Sequence, residues 1–314
     1  MSVLLLTTVI ISGTQEHLAA TDSSVMWEGR TVRDEAAGTV KYAWAGVGFT
    51  LDIDVAQPQP TTNAPDDTPL LAVLATSTFS NAGILHVYAT NTASGTRSVQ
   101  NVSLPTSKSS SATLVPLILP GALEPGSSYT VRAIYITDPI TLSWPVLPGA
   151  NIQVAHSFEF GPGVSVAAHP PSPLKRRLDI YGDSITAGNQ INATTCAPDW
   201  SGTYGRLLCD DFGANCTVAA ISGKGIFHNC CDNNETMTAI ALRKLPGDPT
   251  TQLTAADWAA AGAPAGIVIN LGTNDWGGCV YFNTSTHPHI NTSTHPHIND
   301  RACWGRRWHL RPPF

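Results

Sequence analysis

The sequence predicts an N-terminal all-β sandwich or jelly roll followed by an α/β domain with a parallel sheet. Three observations predict it. Short runs rich in Val, Ile, Thr and Tyr recur from about residue 24 to 160, with no useful helical periodicity. A Gly- and Pro-rich stretch follows, ending in the basic triplet Lys175-Arg176-Arg177. After it, strand-like and helix-like segments alternate up to the nearly continuous apolar run Ala265–Leu271.

In the first region the strand-like runs are Val40–Trp44, Gly48–Val55, Leu70–Ala75, Ile84–Ala89, Ser98–Leu104, Thr113–Leu119, Ser128–Ile136 and Ile152–Phe160. Turn clusters such as Pro65-Asp66-Asp67 and Glu124-Pro125-Gly126-Ser127 separate them. Eight short strands at this spacing suit a sandwich or jelly roll. Residues 161–177 read as a linker, and the basic triplet as a solvated linker charge, a processing site or a phosphate contact. Beyond it, Leu178–Tyr181 reads as a short strand and Thr203–Phe212 as a helix with Tyr204, Leu207, Leu208 and Phe212 on one face. Asn215–Ser222 is a second strand, Glu235–Leu245 and Ala255–Ala261 are helices, and Ala265–Leu271 suits the middle of a parallel sheet. The expected domains are 24–160 and 178–282, with a tail at 283–314.

Composition narrows the functional classes. The chain has 314 residues, of which 42% are hydrophobic and 13% charged, against about 25% charged in an ordinary globular protein. Such a chain is neither a charged disordered tail nor a charge-laced coiled coil. The net charge of −6 argues against general nucleic-acid binding. No run of 18 apolar residues is present, so no membrane span is expected. A monomer is expected.

The seven cysteines, Cys196, Cys209, Cys216, Cys230, Cys231, Cys279 and Cys303, cluster in the second half and form no CxxC pair. They suit two or three disulfides, with connectivity left open. Candidate N-glycosylation sequons stand at Asn101, Asn192, Asn215, Asn234, Asn283 and Asn291. Val3–Ile11, before Ala19-Ala20, reads either as the apolar core of a signal peptide within a leader at 1–23 or as a buried first strand. Few lysines, sequons and clustered cysteines together point to a secreted protein.

The residues that carry chemistry lie at the carboxyl ends of the predicted strands. The first strand runs into Gly182-Asp183-Ser184, where a serine in a sharp turn exposes its hydroxyl above the sheet. The second runs into Ser222-Gly223-Lys224-Gly225, and Gly223 can offer an unhindered N–H. The third runs into Gly272-Thr273-Asn274-Asp275, and Asn274 can offer a side-chain amide. Taken singly, each is an ordinary helix cap, turn glycine or Asx turn. Taken in order, three donors from three strand ends can meet where open α/β sheets bind ligands.

Residues 178–278 resemble the SGNH (GDSL-type) hydrolase superfamily, through Gly182-Asp183-Ser184, Gly223 and Gly272-Thr273-Asn274-Asp275. With a β-rich domain in front, the chain resembles carbohydrate esterase family two, whose jelly roll precedes a three-layer hydrolase domain. Trp27-Glu28-Gly29-Arg30 and Tyr42-Ala43-Trp44-Ala45-Gly46 are similar to that domain's opening strands. The resemblance implies Ser184 as nucleophile on an ester carbonyl and an oxyanion hole from the N–H groups of Ser184 and Gly223 and the Asn274 amide. Gly182, Asp183 and Asp275 would support the turns, and Trp276 would either cover the acyl pocket or pack as a surface aromatic. The implied substrate is an acylated carbohydrate or small ester; no metal or organic cofactor is implied.

The family's general base is a histidine near the C-terminus, usually in a D-x-x-H stretch. This sequence has no D-x-x-H, so no catalytic histidine is found. Only 40 residues follow Asn274, and Asn283–Ile290 is repeated unchanged as Asn291–Ile298. The expectation is therefore an incomplete sheet whose C-terminal third is lost by a frameshift, truncated gene or mispredicted exon. His287, His289, His295 and His297 in the repeat read as zinc or copper ligands or, more plainly, as a duplicated solvated loop. His228 and His309 are further candidates to replace the base. A catalytically inactive glycan-binding or structural remnant is the alternative function.

Overall fold

The structure, a computed structural model, describes residues 17–57, 69–78, 83–106, 111–139, 152–167, 176–189, 191, 198–230 and 235–276. The first part is built from twelve strands: β1 (His17–Ala19), β2 (Met26–Glu28), β3 (Val32–Asp34), β4 (Thr39–Tyr42), β5 (Gly48–Val55), β6 (Leu71–Ser77), β7 (Ile84–Asn91), β8 (Arg97–Ser103), β9 (Thr113–Ile118), β10 (Ser127–Tyr135), β11 (Gln153–Phe160) and β12 (Val164–Val166). They make two antiparallel six-stranded sheets. One has the order β3-β4-β11-β6-β9 with β1 also on β11; the other has β12-β5-β10-β7-β8 with β2 also on β5.

Alternation along these strands explains the packing. In β5, Leu51, Ile53 and Val55 are buried while Asp52 and Asp54 are only partly so, as period-two side-chain placement requires. The buried faces of both sheets meet in one cluster that includes Trp44, Phe49, Leu71, Tyr135 and Phe158. Phe49 of β5 meets Phe158 of β11 edge-on at 4.8 Å, a pair worth about 0.5–1.5 kcal/mol beyond its area.

The second part holds β13 (Arg176–Gly182), α1 (Ser184–Ala187), α2 (Tyr204–Asp211), β14 (Ala214–Ala220), α3 (Met237–Ile240), α4 (Ala255–Ala261), β15 (Gly266–Asn270) and α5 (Thr273–Trp276). Its three strands form a parallel sheet in the order β14-β13-β15. Leu178, Ile180, Cys216 and Val218 turn one face into a second core with Trp200 and Cys209. A disulfide joins Cys209 at the end of α2 to Cys216 in β14, and Cys230 is also disulfide-bonded.

Several expectations are modified. Val164–Val166, read as linker, pairs with β5 through Val164↔Val55, because its alternation completes a sheet edge. Residues 17–23, grouped with the leader, contain β1, and Ala20 is fully buried. The helix expected over Glu235–Leu245 is reduced to α3. There the chain turns back instead, with Lys244 N–H donating to the Thr251 carbonyl at 2.6 Å and Arg243 bridging Gln252. Ala265–Leu271, expected mid-sheet, supplies β15 at the edge of the described strands, with Ile267 60% and Ile269 67% exposed. An apolar run reports affinity for burial, not position in the strand order. The tail 283–314, with its repeat and its histidines, lies outside the described residues.

Candidate active site

The register sets the three strand tips side by side. Gly182 is opposite Ala220 on β14 and opposite Asn270 on β15. Each chain then leaves the sheet at the same end. The Gly182 turn is tight enough that a Cβ there would overlap the Thr186 side chain, so glycine is needed for that close approach. Asp183 caps α1 by accepting from the Ile185 N–H at 3.0 Å. Ser184 opens α1 and is half-buried; first-turn N–H groups have no intrahelical acceptor. Among the described residues nothing hydrogen-bonds its hydroxyl.

The second and third tips are joined by side chains of the third. Asn274, 8% exposed, donates its amide to the Lys224 carbonyl at 2.8 Å. Asp275 accepts from the N–H groups of Ile226 at 2.9 Å, Phe227 at 2.6 Å and His228 at 3.0 Å. Burial works to raise the Asp275 pKa, but the three N–H donors together outweigh it and hold the carboxyl below its usual range. Gly223 has φ +78°, the left-handed region that suits glycine. Its carbonyl accepts from the Cys230 N–H at 3.0 Å, and its own N–H makes no hydrogen bond among the described residues.

The first and third tips sense each other electrostatically. Burial pushes the Asp183 carboxyl up, and the Asp275 charge adds to that, while the Ile185 N–H and the Thr273 hydroxyl pull it down. Ser184, Gly223 and Asn274 thus stand on three adjacent tips, with Asn274 tied to the Gly223 loop. Asp183 and Asp275 are both occupied in holding turns. His228 sits on the loop clamped by Asp275, with its backbone held and its side chain exposed. The Trp276 side chain lies outside the described residues.

Three supports escaped sequence reading. Asp138, just after β10, accepts from the Ser222 N–H at 3.2 Å and from its hydroxyl, so the β part anchors the Gly223 loop. Thr186 bonds the Tyr204 hydroxyl at 2.8 Å, and Asn270 reaches Thr186 at 3.5 Å, linking β15, α1 and α2. An Asp-Pro pair after a core strand and an Asn closing an apolar strand are the local signals, and neither names its partner. Among the sequons, Asn101 is exposed on β8, whereas Asn215 lies within β14 with its side-chain oxygen buried. Asn192, Asn234, Asn283 and Asn291 lie outside the described residues. Among the described residues, no three His, Cys, Asp or Glu side chains form a metal-binding group. None of their helices is long and apolar enough to cross a membrane.

No family model matches the sequence, and no curated protein matches it significantly. Solved structures do match. A family two carbohydrate esterase from Clostridium thermocellum in complex with cellohexaose has a TM-score of 0.60 at 18% identity, over 80% of this chain and 66% of that one. One from Cellvibrio japonicus has a TM-score of 0.61 at 16% identity, over 84% and 69%. An acetyl xylan esterase from Butyrivibrio proteoclasticus has a TM-score of 0.58 at 16% identity, over 84% and 65%. The chain has a fold like that of family two carbohydrate esterases. It spans about two thirds of the length of these structures. In this esterase-like fold two antiparallel sheets precede the small parallel sheet, and the strand-tip cluster lies at the carboxyl end of the latter.

Proposed function

We propose that the protein is a secreted serine esterase that removes acyl groups, chiefly acetyl, from carbohydrate. The observation that carries this reading is the tie between Asn274 and Lys224, at the tip next to Ser184. The likeness to carbohydrate esterase structures supports the substrate class. In the proposed reaction the Ser184 oxygen attacks the ester carbonyl. The resulting oxyanion is met by the N–H groups of Ser184 and Gly223 and by the Asn274 amide. Collapse expels the sugar hydroxyl and leaves an acyl-serine, which water hydrolyses to the free acid and serine.

The serine proton needs an acceptor for efficient attack. The chain contains no D-x-x-H stretch, and no described side chain bonds the hydroxyl, so slow turnover is expected. The same observation favours a second reading, a non-catalytic carbohydrate-binding protein. Turnover of p-nitrophenyl acetate by wild type and Ser184→Ala separates the two. The esterase reading expects the variant to fall to the buffer rate. Equal rates in both proteins remove that reading, and retained binding of a cello-oligosaccharide would then support the second.

A further inference from the structure

Strand β8 ends its sheet and, among the described residues, pairs with β7 alone. At its two ends the Asn91 N–H donates to the Thr96 carbonyl at 2.8 Å and the Leu104 N–H to the Gly83 carbonyl at 2.7 Å. The register between them runs without a shift from Thr90↔Arg97 to Ile84↔Ser103. Antiparallel alternation therefore turns the backbone groups of Ser98, Gln100 and Val102 toward β7 and those of Arg97, Val99, Asn101 and Ser103 outward. Among the described residues no backbone partner meets these outward groups. Gln100 ties β8 to β9 on the core side by donating to the Leu117 carbonyl.

Such an edge invites pairing with another chain unless charge, proline or a cover blocks it. β8 holds no Lys, Pro, Asp or Glu. Its one charge, Arg97, is drawn over the Tyr88 ring at 3.7 Å, and Val99 is 51% exposed. Two residues on stands Asn101, which opens the sequon Asn101-Val102-Ser103. Asn101 lies opposite His86, on the face turned away from the core residues Leu85, Val87 and Ala89. It is exposed, and its side-chain amide makes no hydrogen bond among the described residues. Asn215, by contrast, has its side-chain oxygen buried within β14. A glycan is bulky and solubilising, which is what a cover for this edge has to be.

We propose that Asn101 carries an N-linked glycan that covers the open β8 edge and keeps copies of the chain from pairing there. The donor is a lipid-linked oligosaccharide pyrophosphate. Asn101 Nδ2 bonds to the sugar C1, the C1–O bond breaks with its electron pair going to the pyrophosphate, and one amide proton is released. The proposal rests on the secretion in the function proposed above and not on ester chemistry. Export of the full chain from yeast under its own N-terminus is scored first. A chain that never enters the secretory path removes secretion and the glycan together. A chain that is exported with Asn101 bare, by peptide mapping, overturns the glycan alone. The expected result is an exported chain with Asn101 occupied and Asn215 bare. Asn101→Gln should then raise the mass by light scattering about twofold or more over the glycosylated monomer. If that variant does not fold, trimming the folded wild-type glycoprotein with an endoglycosidase should have the same effect. Adding Val99→Lys to Asn101→Gln should restore the monomer, because an edge lysine opposes pairing. The proposal is also overturned if the folded Asn101→Gln variant or the trimmed protein stays as monomeric as wild type.

Discussion

A carboxamide carries two amide protons, and Asn274 uses one on the Lys224 carbonyl at 2.8 Å. The esterase reading assigns the other proton to the oxyanion. Under the esterase reading, Asn274→Ala should lower kcat by roughly 10²–10³ with little change in KM, as removal of one oxyanion donor does. Steady-state hydrolysis of p-nitrophenyl acetate checks it. Asp275 gives a separate, pH-dependent expectation. Its folded pKa is depressed, so it binds protons less readily in the folded state than in the unfolded chain. The stability it contributes is present above its ordinary value of 3.8 and is lost as pH falls through the folded value. Denaturant unfolding from about pH 6 to about pH 3 should show this loss, and Asp275→Asn should flatten it. Asp183, raised by burial, works in the opposite sense.

Among the elements, α4 shows how short-range rules operate. Thr254 accepts from the Asp257 N–H while Asp257 accepts from the Thr254 N–H at 2.7 Å, a reciprocal cap. Thr254→Ala should cost about 1 kcal/mol of stability, measured by chemical denaturation. Hydrogen bonds from Lys244 and Thr254 pull the Asp257 pKa down to about 2. Its contribution should therefore fade between its ordinary value of 3.8 and about 2 on acidification, and Asp257→Asn should remove that component. Elements of this kind were legible in the sequence. Gly48–Val55 and Ala255–Ala261 form at the residues expected, because period and caps are local. α3 is shorter than Glu235–Leu245 because Arg243 and Lys244 bond to the returning strand at Thr251 and Gln252. β12 was hidden in a Gly- and Pro-rich stretch because three residues carry too little pattern.

The whole molecule is held by contacts between its two parts. Trp44 donates from its indole to the Arg243 carbonyl at 3.1 Å, and Trp200 N–H donates to the Ile136 carbonyl at 3.0 Å. Ala219, Ile221, Met237 and Ile240 belong to the same core as the two antiparallel sheets. We therefore expect a single calorimetric unfolding transition for both parts; two resolved transitions would show that they fold independently. Asp138→Ala should loosen the Ser222 loop, lowering stability and any turnover together, because it leaves the half-buried Ser222 N–H and hydroxyl without their acceptor.

The sequence by itself determined the strand and helix periods, the Gly182 turn and the three motifs at the strand ends. Those follow from neighbours a few residues apart, from glycine's conformational range and from capping side chains. It took the packed fold to bring the tips of β13, β14 and β15 abreast, to set Asp138 against Ser222, and to bury Arg30 against the Ala241 and Arg243 carbonyls. These joinings link positions such as 30 and 243, 138 and 222, and 224 and 274. No local pattern encodes such pairs, because they form only when distant segments are packed against a common core.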